Sequence, residues 1–294
     1  MRDVAFTVII PAHNEAKVIE RCLRGVLANA PAEADFEVIV AANGCSDDTA
    51  ARARNAAPQA TVFELPEGSK PTAMNSAKAL AKHPICLFLD ADVQCSFASL
   101  SAVARALMDP GVMAASPSLR MDLSQSSALV CAYYRVWLGL PYATDRLVGS
   151  GCFGLSRAAL ETIGDFPEII GDDIWIRAQF DRSQRRSIGK DEKGKPVFFL
   201  VSPPRTLGDQ IRVESRRRIG NRQADAAIAG QVDKTNQRGA HSANDLLGAR
   251  AKGASWFDLG VYCATKLAVM GRVKWSVWTG SQHRWERDLA AREA

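Results

Sequence analysis

In the N-terminal third of the chain, short β-branched runs alternate with segments whose apolar side chains recur every three or four positions. Phe6 to Ile10 is one such run. After Pro11-Ala12-His13-Asn14-Glu15, the positions Val18, Ile19, Cys22, Leu23, Val26 and Leu27 fall on one face of a predicted helix. The unit recurs as a strand over Phe36 to Ala41, a turn at Asn43 to Ser46, and a helix over Asp47 to Ala57. Two carboxylates stand in the first turn of that helix, where they suit its dipole. A third strand is predicted at Thr61 to Leu65. Gly68-Ser69-Lys70-Pro71 then leads into a helix through Met74, Ala77 and Leu80. Ile85-Cys86-Leu87-Phe88-Leu89 is apolar at every position and reads as a strand buried on both faces. Strands alternating with helices of this length imply a parallel sheet that binds ligands outside the carboxyl ends of its strands. The functional loops should therefore follow residues 10, 42, 65 and 89.

Beyond residue 110 the alternation loosens. A strand is predicted at Val112 to Leu119, a helix within Ser126 to Leu138, and an apolar, Gly-rich segment at Leu147 to Leu155. The charged stretch Asp181 to Lys195 and the apolar run Pro196 to Val201 read as a hairpin-like excursion. From about residue 226 the chain is Ala-rich and helical. This organisation divides it into a domain over 1–225, with halves 1–110 and 111–225, and a helical C-terminal extension over 226–294. The second half of the domain is expected to build the site of a second substrate. Phe257 to Val273 has the pattern of an amphipathic helix, which either covers the core or lies on a membrane surface. No segment reaches the roughly 18 to 20 apolar residues needed to span a bilayer.

Composition fits an ordinary folded protein. Of 294 residues, 47% are hydrophobic and 23% charged, with no low-complexity tract, which excludes a largely disordered chain. The net charge of +5 is regional, with many of its cations between Arg182 and Arg222. A local anionic partner follows, and charge alone does not choose among ligand phosphates, acidic lipid and nucleic acid. No stacking aromatics interleave the arginine-rich run Gln210 to Gly220, so nucleic acid is not expected. The seven cysteines are scattered without CxxC pairs or His at zinc-ligand spacing, and read as reduced thiols. The N-terminus shows no secretory apolar region, so a cytoplasmic protein is expected, free or peripheral on the inner face of the membrane.

The most suggestive chemistry is Asp90-Ala91-Asp92, directly after the fully apolar strand. Alternation along an extended backbone would point both carboxylates the same way. Such a pair suits Mg2+ or Mn2+, whose remaining positions substrate phosphates and water commonly fill, and it equally suits two solvated turn aspartates.

Placed in order at successive strand ends, Val8-Ile9-Ile10-Pro11-Ala12-His13-Asn14-Glu15, Ala42-Asn43-Gly44-Cys45-Ser46-Asp47-Asp48-Thr49 and Asp90-Ala91-Asp92 resemble glycosyltransferase family 2 over residues 6 to 221. The resemblance implies a GT-A fold, a Rossmann-like, mostly parallel α/β sheet flanked by helices, and inverting transfer from a nucleotide sugar. It implies that Pro11, His13 and Glu15 line the base and ribose pocket, with Asn43 beside the base where many relatives carry Asp. Lys70 would approach the donor diphosphate, Gly149, Ser150 and Gly151 would lie beneath the donor sugar, and Ala91, between the two site carboxylates, would also bind the nucleotide sugar. Asp92 is implied as the direct metal ligand, and Asp90 as the partner of the ribose or a second ligand. Asp172-Asp173 is similar to the family's Glu-Asp element, making Asp173 the general base and Asp172, in place of the usual Glu, the second catalytic carboxylate. Glu214-x-x-Arg217-Arg218 stands where polymerising members carry an arginine motif, with Arg217 offered to phosphate.

The sequence thus points to a metal-dependent transferase using Mg2+ or Mn2+ and a UDP- or GDP-sugar. Its acceptor would be a glycan or lipid-linked sugar, with peripheral membrane contact. Two other classes stay open: a nucleotidyltransferase, although Pro11 to Glu15 lacks the glycine-rich phosphate loop, and a non-catalytic binding or scaffold relative.

Overall fold

In the computed structural model, which describes residues 4–144, 149–229 and 243–279, the first apolar run forms strand β1 (Phe6–Ala12), buried along its whole length. Burial on both faces is what a run without polar alternation requires. Helix α1 (Ile19–Leu27) turns Ile19, Cys22, Leu23 and Val26 inward at the predicted spacing. Strand β2 (Phe36–Asn43), helix α2 (Thr49–Ala56), strand β3 (Thr61–Leu65), helix α3 (Lys70–Leu80) and strand β4 (Cys86–Leu89) continue the alternation. These four strands are parallel neighbours in the order β3-β2-β1-β4. Pairing of β1 with β4 ends at Ile9↔Phe88, so Pro11, which has no N–H to give, lies beyond that ladder.

Past β4 the sheet changes character. Strand β5 (Gln94–Cys95), helix α4 (Phe97–Ala106), strand β6 (Ala114–Met121), strand β7 (Cys152–Leu155), helix α7 (Arg157–Ile163), strand β8 (Arg185–Ile188) and strand β9 (Phe198–Val201) complete it. Strand β7 is antiparallel to both β4 and β6, β5 is antiparallel to β9, and β8 is parallel to β6. The architecture is mixed α/β, and its four-stranded parallel part, β3-β2-β1-β4, is the strands that the N-terminal alternation predicts. The core runs between the sheet and helices α1 and α4, with Phe6, Ile10, Leu23, Leu87, Leu100, Val103 and Phe199 among its members.

Several local expectations are corrected. Helix α2 begins at Thr49, so Asp47 and Asp48 precede it. Asp90-Ala91-Asp92 is a turn closed by the Val93 amide on the Asp90 carbonyl at 3.0 Å, and its backbone is not an extension of β4. Strand β7 starts at Cys152; Leu147 and Val148 lie outside the described residues. The excursion after Asp181 has a hairpin's bridge, Lys190↔Pro196, but its strands β8 and β9 do not pair with each other.

The chain folds as two compact units that interleave in sequence: Met1–Arg120 with Arg146–Glu168 and Ile176–Val201, and Met121–Asp145 with Ile169–Trp175 and Ser202–Ala294. The second is helical. It holds α5 (Ala128–Trp137), α6 (Pro141–Thr144), the first turn of α8 (Asp172–Ala178), α9 (Leu207–Ile228), α10 (Ala243–Ala251) and α11 (Trp256–Trp278). Helix α9 runs unbroken through Asp225. Tyr133 of α5 stacks on Tyr262 of α11 with ring centroids 5.1 Å apart, and beside them Glu214 of α9 is buried against Lys266 of α11. Glu214 would be raised by burial alone; Lys266 and Arg217 outweigh that and hold its carboxyl below the usual range.

Candidate functional site

The loops after β1, β2, β3 and β4 meet at the carboxyl edge of the parallel strands. Each contact has a local cause. Asn43 is 2% exposed and donates its amide to the carbonyls of Ala12 (2.9 Å) and Ala41 (3.3 Å), tying the end of β2 to the end of β1. The His13 ring Nδ1 bonds the Asn43 carbonyl. Gly44 adopts φ +55, and a Cβ there would stand 2.5 Å from the Gly68 amide nitrogen, so the β2 and β3 loops touch at backbone level. That combination of positive φ and close approach admits only glycine. A Cβ on Gly68 would in turn lie 3.0 Å from His13 Cε1.

Glu15 is buried, and its amide donates to Thr49 Oγ1 at 2.7 Å, while Thr49 Oγ1 donates to Asp47 Oδ1 at 2.5 Å. Asp47 and Thr49 of the Asn-Gly-Cys-Ser-Asp-Asp-Thr segment therefore lock the loop after β1 onto the start of α2. Asn14, at φ 54, accepts from the Ser46 amide at 2.6 Å and closes the same junction.

Lys70 stands at the N-terminus of α3, whose cap is Ser69, and its ammonium pairs with Asp90 at 2.8 Å. Residues 149–151 press on the same turn. The Gly151 carbonyl accepts from the Asp90 amide at 2.8 Å, and a Cβ on Gly151 would meet Val93 at 2.7 Å and Asp90 Oδ2 at 3.5 Å. Gly149, Ser150 and Gly151 all have positive φ, of 113, 57 and 101. For Ser150 this is an uncommon conformation, costing about 1 kcal/mol or more, of the kind concentrated at ligand sites. Asp90 and Asp92 are partly exposed and Ala91 is buried between them. The negative potential of both carboxylates reaches into α1: burial first, then Asp92 and, less, Asp90, push the Cys22 thiol far above its usual range.

This donor set can be tested against a divalent cation. Among the described residues, no group of three or more His, Cys, Asp or Glu side chains is placed to hold a metal. Two hard carboxylates in one turn, one of them already facing an ammonium, fit an ion that takes one or two protein oxygens and completes its shell from substrate phosphates and water. They do not fit a closed structural site.

In the second unit, Asp172 and Asp173 open α8; Asp172 is buried, and Asp173 accepts from the Ile174 amide at 2.9 Å. The helix N-terminus favours such charge. The preceding loop is fixed on α9, because a Cβ on Gly171 would lie 2.6 Å from the Gly220 carbonyl oxygen and the Ile170 amide donates to Gln223 at 3.1 Å. Arg217, on the same helix, is exposed, pairs with Glu214 at 3.2 Å, and lies within the field of Asp173.

Sequence reasoning missed a strap. Glu168 accepts from both Ser69 (2.7 Å) and Thr72 (2.6 Å), Asn75 exchanges two bonds with the backbone of Phe166, and Lys78 pairs with Asp165 at 2.8 Å. Residues 165–168 thus bind α3 from its cap over about two and a half turns. The only sequence signal is the spacing of Ser69, Thr72, Asn75 and Lys78; the partner strand of chain carries none.

Residues 7–126 match the family model described as Glycosyl transferase family 2. No curated protein matches the chain. Among solved structures, a mannosyltransferase from Pyrobaculum calidifontis, in complex with GDP-Man and Mn2+, is 23% identical, with TM-score 0.61 over 96% of this chain and 84% of that one. Glucosyl-3-phosphoglycerate synthase from Mycobacterium tuberculosis, in complex with Mn2+, UDP and phosphoglyceric acid, is 20% identical, with TM-score 0.52 over 78% and 80%. The fold is that of these GT-A glycosyltransferases.

Proposed function

We propose that this chain, a glycosyltransferase whose residues 7–126 belong to family 2, moves a sugar from a UDP- or GDP-sugar to a hydroxyl acceptor with inversion at the anomeric carbon. One observation carries the reading. The Lys70–Asp90 pair lies where the Gly149–Gly151 turn meets the turn that carries Asp92, at the carboxyl ends of parallel strands. That edge is where α/β sheets bind nucleotides.

In this reading, His13, Glu15 and the Asn43-tied loop shape the base and ribose pocket, with Asn43 acting through the backbone it holds. Asp92, with Asp90, would hold Mn2+ or Mg2+, which when bound offsets charge on the leaving diphosphate. Lys70 is a mobile cation held by Asp90, and it exchanges that carboxylate for phosphate oxygen when donor binds, adding to the same stabilisation. The glycines at 149 and 151 let the donor sugar approach backbone. Asp173 accepts the proton of the acceptor hydroxyl as its oxygen attacks, a role that contributes about 10² to 10⁴-fold. Asp172 orients the first turn of α8, and Arg217 offers a guanidinium to phosphate.

The acceptor is read as a lipid-linked or cell-surface glycan precursor, met by a cytoplasmic protein in peripheral contact with the membrane. The basic stretch from Arg182 to Arg222 and the apolar exposed face of α11 support this. Among the described residues, no helix is long and apolar enough to cross a membrane.

The test is release of nucleoside diphosphate from a panel of nucleotide sugars with Mn2+, with the product anomer read by NMR. The wild type should turn over one donor with inversion. Asp92→Ala and Asp173→Ala should each lose about a hundredfold or more of that rate. Normal turnover by both variants would sink the mechanism.

A further inference from the structure

Helix α11 buries Leu259, Tyr262, Thr265, Val269 and Val273 on one stripe, in contact with α5 and α9. A helix that only covers a core is polar on its other side. Here the other side carries Trp256, Phe257, Leu267, Met270, Trp275 and Trp278, with Trp256 65%, Leu267 68% and Trp278 79% exposed. At about 100° per residue, the eleven-residue steps from Trp256 to Leu267 and on to Trp278 drift only about 20° each, and Trp275 falls in line with Phe257. The result is a largely apolar face about 35 Å long, with Gly260, Ala264 and Gly271 between its large side chains and the exposed Lys274 in line with Trp256 near its C-terminal end.

Charge is arranged around this face in one sign. From Arg250 to Thr279 the only acid is Asp258, which is buried and paired with Arg135 at 2.7 Å. Arg250, which lies over the Trp256 ring at 4.8 Å, and Lys252 flank one end, and Arg272 and Lys274 flank the other. Tryptophans stand at both ends, where a ring with an apolar body and a polar tip suits a membrane interface.

We propose that this face of α11 lies flat in the headgroup region of an anionic lipid bilayer, with its flanking cations on acidic headgroups. The proposal rests on the reading of a membrane-borne acceptor and says which surface meets that membrane. An antiparallel pairing with a second copy would set Arg250 and Lys252 beside Arg272 and Lys274 with no exposed acid among the described residues 250–279 to offset them; acidic lipid answers both ends at once.

Flotation of the full chain with vesicles tests this. The protein should float with phosphatidylcholine vesicles containing phosphatidylglycerol, several-fold less with phosphatidylcholine alone or at high salt. Trp275→Ser/Trp278→Ser should lower the bound fraction about tenfold or more, with its melting temperature and donor turnover in solution unchanged. Absence of flotation with anionic vesicles, or equal flotation of the double variant, would overturn the proposal. So would light scattering that shows a dimer which the double variant dissolves. Flotation that behaves as expected while no nucleotide sugar is turned over would leave the surface standing and remove the transferase reading.

Discussion

At the scale of single residues, the site is organised by one cation and two carboxylates. Lys70 is partly exposed and holds Asp90 at 2.8 Å, and in the proposed function donor phosphate takes the place of that carboxylate. Lys70→Ala should therefore lower donor kcat/KM by about ten- to a hundredfold with little change in melting temperature, because a partly exposed ion pair contributes little to stability. Steady-state turnover beside a thermal melt checks both halves of that expectation. The positions of Asp90 and Asp92 are readable from sequence, since they follow a run whose apolar pattern fixes strand β4, and Lys70 is readable at the start of the helix that follows β3. The role of Asn43 is not: Asn-Gly at a strand end suggests a turn or a base contact, and only the fold reveals that its amide is spent on the carbonyls of Ala12 and Ala41. The neighbour of Gly44 is equally hidden, because Gly68 reaches it only through the return of another strand.

At the scale of elements, the strap on α3 and the cap of α11 make separate predictions. Glu168 receives the hydroxyls of Ser69 and Thr72, the residues on either side of Lys70 and Pro71. Glu168→Ala should loosen the first turn of α3 and raise the donor KM several-fold more than it lowers kcat, which separates positioning from chemistry. Equal kinetics for Glu168→Ala and wild type would contradict this. In α11, Ser255 and Asp258 form a capping box, and the bond to Arg135, with the Ser255 cap bonds, lowers the Asp258 pKa from 3.8 to about 2. A depressed carboxylate stabilises the fold above its unfolded pKa. That contribution should be complete near neutral pH and be lost as pH falls from about 4 to about 2. With Arg135 half exposed, it is of order 1–2 kcal/mol. Asp258→Asn should flatten that part of the acid melting profile, measured by circular dichroism.

The same scale shows why helices α1, α3 and α5 are legible in the sequence and strand β8 is not. A helix that buries Ile19, Cys22, Leu23 and Val26 writes its period into the chain. Strand β8, Arg185–Ile188, has only its first residue buried and finds its place by pairing with β6, a partner that no local pattern names.

At the scale of the molecule, the chain combines a unit that repeats strand and helix with a helical unit that carries Asp172, Asp173 and Arg217. The first is readable as a nucleotide-binding half because its alternation is regular. The second is readable only as helices and charge, since its segments come from three separate stretches of sequence. Central to the account is a nucleoside diphosphate held jointly by a divalent ion and the Asp90–Asp92 turn. Thermal melting with UDP and GDP, with Mn2+ and with chelator, tests it most directly. Ligand at about a hundredfold excess over Kd adds about 2.7 kcal/mol to the native state. One of the two nucleotides with Mn2+ should therefore raise Tm by several degrees in the wild type, and chelator or Asp92→Ala should abolish the rise. No rise with either nucleotide, or the same rise in chelator, would contradict the account.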